Sequence, residues 1–163
     1  MSAEIIGAPA RPKAFDTILL GGLIAGVLDG LDAVVFYGLA FGVAPNLLFQ
    51  NIAGGLLGRR TFHGGWCTVL LGVACHFSIA IGAAAVFYGA SLVIPALWRK
   101  PWIYGPTFGV LVYLFMHYVV IPLSALPKRT VPVTLFEIVD QLFSHTVFVG
   151  LPIALMARRS AGR

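Results

Sequence analysis

Charged residues are scarce in this chain: 10% of its 163 residues are Asp, Glu, Lys or Arg, whereas roughly a quarter are charged in an average soluble domain. Hydrophobic residues make up 59%, and the mean hydropathy is +0.93. This composition excludes a water-soluble globular protein and indicates a membrane protein. A chain of this length has room for about four spans of ~20 residues and little more. We therefore expect one membrane domain, residues 1–163.

Cysteine and catalytic motifs are also scarce. Cys67 and Cys75 are too few for a disulfide framework and are spaced too widely for a typical metal-binding pair, so we expect two small buried hydrophobes. The sequence has no HExxH pattern, no phosphate-binding glycine loop and no partnered nucleophile, which makes an enzyme the least favoured class. Covalent haem would need a C-x-x-C-H motif, which is absent, and no motif indicates a nucleic-acid partner.

Long apolar runs predict an all-α, polytopic membrane protein with a bundle of four transmembrane helices. The predicted spans cover residues 17–43, 66–95, 103–126 and 133–156. We expect the first span to end before Pro45, because proline lacks the backbone N–H that would continue the helix. Aromatic side chains lie near the predicted span ends, where they typically meet the lipid headgroups: Trp66, Trp98, Trp102 and Tyr104.

The stretch "NLLFQNIAGGLLGRRTFHGG", residues 46–65, is too short to span a membrane. Its leucines and Ile52 recur at roughly helical spacing before Arg59 and Arg60. This pattern predicts a short helix, about residues 46–58, that lies in the membrane interface between the first and second spans.

The distribution of Lys and Arg predicts the orientation, because cytoplasmic loops are enriched in both. Seven of the eleven lie in the N-terminal tail, the second loop and the C-terminus: Arg11, Lys13, Arg99, Lys100, Arg158, Arg159 and Arg163. The first and third loops hold Arg59, Arg60, Lys128 and Arg129. We expect both termini in the cytoplasm, the start of the chain to be a cytosolic tail rather than a signal peptide, and the net charge of +5 to face anionic lipid.

Every predicted span contains ionisable side chains. The stretch "GVLDGLDAVVF" places Asp29 and Asp32 in the first, and the others contain His76, His117, Glu137, Asp140 and His145. A charge at the centre of a membrane helix costs ~2.5 to 3.5 kcal/mol on insertion scales, so such groups usually face the bundle interior or a wet cavity. Counting ~1.5 Å per residue brings most of them near the bilayer centre, with Asp140 nearer the non-cytoplasmic side. The candidate ligands or proton-relay groups are Asp29, Asp32, His76, His117, Asp140 and His145.

Glycines indicate which face of the first span packs against protein. Gly22, Gly26 and Gly30 repeat every four residues, a spacing that lets a neighbouring helix backbone approach closely. Asp29 lies on nearly the same face, so we expect the carboxylates to face protein rather than lipid. In the third span Pro122, five residues after His117, predicts a kink or an early helix end.

Three stretches, "HFSIAIGAAAVFYG", "MHYVVIPLSALP" and "QLFSHTVFVGLPIALMARR", resemble the YagU-like family of small bacterial inner-membrane proteins. The resemblance covers roughly residues 76–159 and is carried by His76, by His117 followed by Pro122, and by His145. It implies a multi-pass protein of the bacterial inner membrane and an association with acid resistance, without a biochemical activity. The family's acidic residue before the last histidine falls on Gln141 here, with Asp140 beside it.

Three functions stay open at this point. The first is handling of protons or of a transition metal ion, with Asp32, His76, His117 and His145 as relay groups or ligands. The second is a non-covalent haem held by two histidines across the bundle. The third is a structural or accessory subunit, in a homo-oligomer or a larger membrane complex, whose polar residues only lock helices together.

Overall fold

The computed structural model describes residues 11–126 and 132–162. Its helices are α1 (Phe15–Phe41), α2 (Pro45–Leu57), α3 (Gly65–Val93), α4 (Ala96–Arg99), α5 (Pro101–Leu123) and α6 (Leu135–Ala161), and a 3₁₀ segment, Gly58–His63, joins α2 to α3. Four of them, α1, α3, α5 and α6, are long and apolar enough to cross a membrane. The prediction of an all-α bundle of four transmembrane helices is therefore confirmed.

The helix ends follow from local chemistry. The first span was predicted at residues 17–43, and α1 ends at Phe41 because Gly42 adopts the left-handed conformation, with φ of 66°. In α5 and α6, wide π-helical turns, Met116–Val120 and His145–Gly150, precede Pro122 and Pro152. A π turn accommodates a residue that cannot donate a backbone hydrogen bond, so α6 continues past Pro152 to Ala161, whereas α5 ends at Leu123, one residue after Pro122. The predicted basic loop at Lys128 and Arg129, and the terminal Arg163, lie outside the described residues.

Glycine brings α1 close to α3. A Cβ atom on Gly22 would lie 2.7 Å from the Cα of Ile81, and one on Gly26 would lie 2.8 Å from the Phe77 ring. A Cβ on Gly30 would lie 3.1 Å from Nε2 of His76. Real Cβ atoms essentially never make the first two contacts and rarely make the third, so the two helices could not keep this separation with larger residues at Gly22 and Gly26.

The half of the bundle that contains the start of α1 and the end of α6 has an apolar core. It is built from the first half of α1 and the second halves of α3 and α6, and its buried residues are Ala25, Ala84, Phe87, Val149, Ile153, Ala154 and Ala157. Leu97 and Trp98 of α4 pack against it. Large apolar side chains such as Leu39 and Val93 point outward, as expected of a surface that faces lipid.

Hydrogen bonds hold helix α2 against the end of the bundle that lies away from the apolar core. Its buried Gln50 donates from Nε2 to the carbonyl oxygen of Gly65 at 3.2 Å and to Oγ1 of Thr68 at 3.1 Å. The hydroxyl of Thr61 donates to the Gln50 carbonyl oxygen at 2.8 Å. These bonds hold α2 against the start of α3, so it forms one wall of the bundle as well as a connection between spans.

The two cysteines differ from the sequence prediction. Cys75 is half-buried, but Cys67 is exposed. The prediction that both are buried is wrong for Cys67, because the buried face at the start of α3 carries Thr68, Val69 and Gly72 instead.

Candidate functional site

A cavity of about 230 Å³ lies between α1, α2, α3, α5 and α6. Most of the α1 and α5 residues that line it lie in the second halves of these helices, and most of the α6 residues lie in the first half of α6. Because successive spans run in opposite directions, these parts lie at the same end of the bundle. This is the end away from the apolar core and next to α2. The polar side chains that line the cavity are Asp29, Asp32, Tyr37, His76, Asp140, Gln141, Ser144 and His145.

Helical spacing explains why these side chains meet. Asp29 and Asp32 are three residues apart and so share one face of α1, beside the glycine face that contacts α3. On α6, Asp140 and Ser144 are four residues apart, about one helical turn. Gln141 and His145 are also four residues apart, so the two pairs lie side by side on the helix. Each helix therefore presents a narrow polar face on an otherwise apolar surface.

The carboxylates form a cluster with one defined hydrogen bond. The hydroxyl of Ser144 donates to Oδ1 of Asp29 at 2.8 Å. Asp32 lies within electrostatic range of Asp29, Ser144 and His145, and Asp140 lies within range of both other aspartates. Among the residues that the structure describes, none donates a hydrogen bond to Asp140, so its carboxylate is available to a ligand or to water.

The two histidines that line the cavity each use one ring nitrogen to bind a backbone carbonyl. Nε2 of His76 donates to the carbonyl oxygen of Gly26 at 2.8 Å, and Nδ1 of His145 donates to that of Gln141 at 2.8 Å. A carbonyl oxygen can only accept, so each bond fixes the position of one proton. The other nitrogen, Nδ1 of His76 and Nε2 of His145, is then left to accept a hydrogen bond.

His117 is not part of the cavity lining, although the sequence made it a candidate. Its ring stacks on Tyr113 with centroids 5.8 Å apart, and Tyr113 meets the ring of His145 edge-on at 5.8 Å. On α5, Val112 and Met116 face the cavity, and His117, one position after Met116, points to the side. His117 is therefore linked to His145 of the cavity through the buried ring of Tyr113.

Glu137, the remaining ionisable group of the fourth predicted span, has a role at the helix start. Its carboxylate accepts from the backbone N–H of Thr134 at 2.9 Å, and its own N–H donates to Oγ1 of Thr134 at 3.2 Å. This reciprocal capping box satisfies two donors at the beginning of α6. Glu137 is buried there and does not line the cavity.

Sequence reasoning missed three polar residues of the cavity: Tyr37, Gln141 and Ser144. Nε2 of Gln141 donates to the Tyr37 hydroxyl oxygen at 2.6 Å, and this hydrogen bond joins α6 to the second half of α1. The helical spacing of Gln141 and Ser144 relative to Asp140 and His145 could have revealed two of them, because all four fall on one face of α6.

The geometry bears on the predicted metal and haem sites. Within residues 11–126 and 132–162, no group of three or more His, Cys, Asp and Glu side chains could hold a metal ion. Three of the predicted ligands line the cavity: Asp32, His76 and His145. The fourth, His117, does not line it and stacks on Tyr113. The cavity is also smaller than typical cofactor pockets, which measure about 300–1,000 Å³. The four predicted ligands therefore do not all line the cavity, and the cavity is small for haem.

Comparison with known proteins adds no relative: no family model, no curated protein and no solved structure matches this chain. The fold defines a four-span, multi-pass membrane protein, and its function has to be argued from the cavity.

Proposed function

We propose that this protein binds and releases protons at the cavity between α1, α3 and α6, and that these protons control or accompany its activity in the membrane. The observation that carries the proposal is the convergence of three carboxylates, Asp29, Asp32 and Asp140, and two imidazoles, His76 and His145, on one small cavity. Ionisable groups inside membrane helices are rare and commonly serve as proton relays.

The surroundings of the cavity support proton exchange. A volume of about 230 Å³ holds several water molecules, each of which occupies ~30 Å³ in the liquid. Water, the Ser144 hydroxyl and the free imidazole nitrogens can pass a proton among the carboxylates by short hydrogen-bond steps. Among the described residues, no Lys or Arg lines the cavity, so no fixed positive charge opposes entry of a proton.

The apolar core supports controlled binding rather than an open channel. Phe87, Ile153 and Ala157 are fully or almost fully buried in the half of the bundle that contains the start of α1 and the end of α6. A proton cannot cross such a dry layer without a polar partner. In the proposed function, the cavity therefore exchanges protons toward the end covered by α2.

Three further features belong to the proposal. The membrane is the bacterial inner membrane, and both termini face the cytoplasm, which puts α2 and the mouth of the cavity on the outer side. The resemblance of residues 76–159 to YagU-like proteins adds the expectation of a role in acid stress. An acid-facing site of carboxylates and imidazoles would suit such a role, because its charge changes as the external pH falls.

A proton count tests the proposed function. The purified protein in lipid nanodiscs is shifted from about pH 8 to about pH 5, a range that includes ordinary histidine titration, and a soluble indicator dye measures the protons taken up per chain. We expect the triple variant Asp29→Asn, Asp32→Asn, Asp140→Asn to take up fewer protons than the wild type. The matched control is Asp16→Asn, which removes a carboxylate of α1 outside the cavity and should leave the count unchanged. Equal uptake by the wild type and the folded triple variant would overturn the proposal and favour the structural role.

A further inference from the structure

A second cavity lies between α3 and α5 and is apolar throughout. It measures about 570 Å³, and its lining includes Gly82 and Val86 of α3 with Phe108 and Phe115 of α5. Both helices are long and apolar enough to cross a membrane, so a groove between their middle parts would lie at the depth of the lipid tails. Its size falls within the range of about 300–1,000 Å³ that is typical of pockets for small molecules.

The apolar groove adjoins the polar cavity. Four residues line both of them: Ile79 and Ala83 of α3, and Val112 and Met116 of α5. One layer of side chains therefore separates a lipid-facing groove from a cavity that contains three carboxylates. Met116 is unbranched and flexible, so its side chain can change conformation without movement of the helices.

We infer that the groove and the cavity together bind a lipophilic organic cation that enters from the bilayer between α3 and α5. The apolar part of the ligand occupies the groove, and its positive charge faces Asp29, Asp32 and Asp140. This inference rests on the proposed function, and it names the class of ligand whose binding the protons of the cavity would accompany.

Charge complementarity selects a cation over an anion or a neutral lipid tail. The cavity side offers three carboxylates, and no Lys or Arg within the described part of the chain lines either cavity. An anion would meet like charges in a medium of low dielectric constant, where their repulsion is strong. A neutral tail could fill the groove but would gain nothing from the carboxylates, so only an amphiphilic cation uses both surfaces.

Glycine positions in α3 provide a matched pair of variants. A Cβ on Gly82 or on Gly89 would meet no atom within 4 Å, so neither site resists a larger side chain. Gly82 lines the groove, whereas Gly89 lines neither cavity. Gly82→Leu therefore fills the groove, and Gly89→Leu makes the same chemical change on the same helix outside it.

The test uses two probes of nearly equal shape and opposite charge, tetraphenylphosphonium and tetraphenylborate. Equilibrium dialysis measures their binding to the full chain in nanodiscs of zwitterionic phosphatidylcholine, with empty nanodiscs as the background. We expect saturable binding of one tetraphenylphosphonium per chain and none of tetraphenylborate. Gly82→Leu and the double variant Asp29→Asn, Asp32→Asn should each weaken binding at least tenfold, whereas Gly89→Leu and Asp16→Asn should bind as the wild type does.

Four results would overturn the inference: no saturable binding of the cation, equal binding of the two probes, unchanged binding by Gly82→Leu, or unchanged binding by the double variant Asp29→Asn, Asp32→Asn. Each would show that the groove and the cavity do not together form a binding site for a lipophilic cation. The helical circular dichroism of every variant is recorded in the same samples, so a loss of binding is scored only in folded protein. Failure here is distinguishable from failure of the proposed function, because the proton count is made without any organic cation.

Discussion

The hydroxyl of Ser144 donates a hydrogen bond of 2.8 Å to the carboxylate of Asp29 and so joins residues that lie 115 positions apart. The bond connects the middle of α1 to the first half of α6 inside the bundle. It positions Asp29 beside Asp32, while Asp140 of the same face of α6 stays without a donor among the residues described. One aspartate of the cluster is therefore held in place by a side chain, and a neighbouring one is available for exchange.

A double-mutant cycle on this pair tests the contact. We expect Asp29→Ala and Ser144→Ala each to lower the stability of the bundle, because either change removes the hydrogen bond. The two effects should be coupled by about 0.6 kcal/mol, the average for interhelical hydrogen bonds in membranes, and by no more than about 1.7 kcal/mol. Stability is measured by denaturant unfolding in mixed micelles. The control cycle is Asp32→Asn with His117→Ala, which should be additive because His117 does not line the cavity. Additive losses in the first cycle would contradict the contact.

Much of this cavity could be predicted from the sequence, for a physical reason. Asp29, Asp32, His76, Asp140 and His145 stand out as ionisable groups in apolar spans, and the cost of exposing such groups to lipid directs them inward. The four-span fold follows from the lengths of the apolar runs in the same way. Neither inference requires knowledge of how the helices pack.

The position of His117 could not be predicted in this way. Depth along the helix placed it near the other histidines, but its direction depends on the rotation of α5, which its contacts with α6 determine. Gly105 and Gly109 set that rotation: a Cβ on Gly105 would lie 2.9 Å from the Cα of Leu151, and Gly109 abuts the backbone of His145 and Thr146. The π turn at Met116–Val120 shifts the helical phase at His117 itself.

Replacement of a packing glycine should destabilise the bundle. In Gly26→Leu the new side chain would begin 2.8 Å from the Phe77 ring, and overpacking of this kind typically costs about 1 to 3 kcal/mol. We expect a lower melting temperature in detergent. Val35→Leu is the control, since Val35 is 56% exposed on the outer face of α1 and should tolerate the change. Identical melting of Gly26→Leu and wild type would contradict close packing of α1 on α3.

The orientation in the membrane can be tested with reporter fusions. Fusions after Arg129 and after Arg163 should report opposite sides, with the second in the cytoplasm, because seven of the eleven basic residues favour that side. A paired reporter, one active only in the cytoplasm and one only outside it, gives a positive signal for each location. Identical signals at both positions would contradict an odd number of crossings between them.

Metal and haem content separates the remaining ligand hypotheses. We expect the purified protein to contain neither haem nor a stoichiometric transition metal, because the described residues offer no group of three ligands and the cavity is small. Visible absorbance measures haem, and elemental analysis measures metals. The contrary result is one metal per chain that is lost in Asp32→Asn or His145→Ala but retained in His63→Ala, which lies outside the cavity. That result would show that the cavity binds a metal ion, and the proposed function would then be metal handling.

The most direct test of the central claim is infrared difference spectroscopy of the protein in lipid membranes during a pH change. The C=O stretch of a protonated carboxyl group reports each aspartate that gains or loses a proton. We predict a carboxyl difference signal in the wild type that persists in Asp16→Asn, is reduced in Asp32→Asn, and disappears when Asp29, Asp32 and Asp140 are all replaced by asparagine. A signal that is unchanged in the folded triple variant would show that the cavity carboxylates do not exchange protons and would contradict the claim.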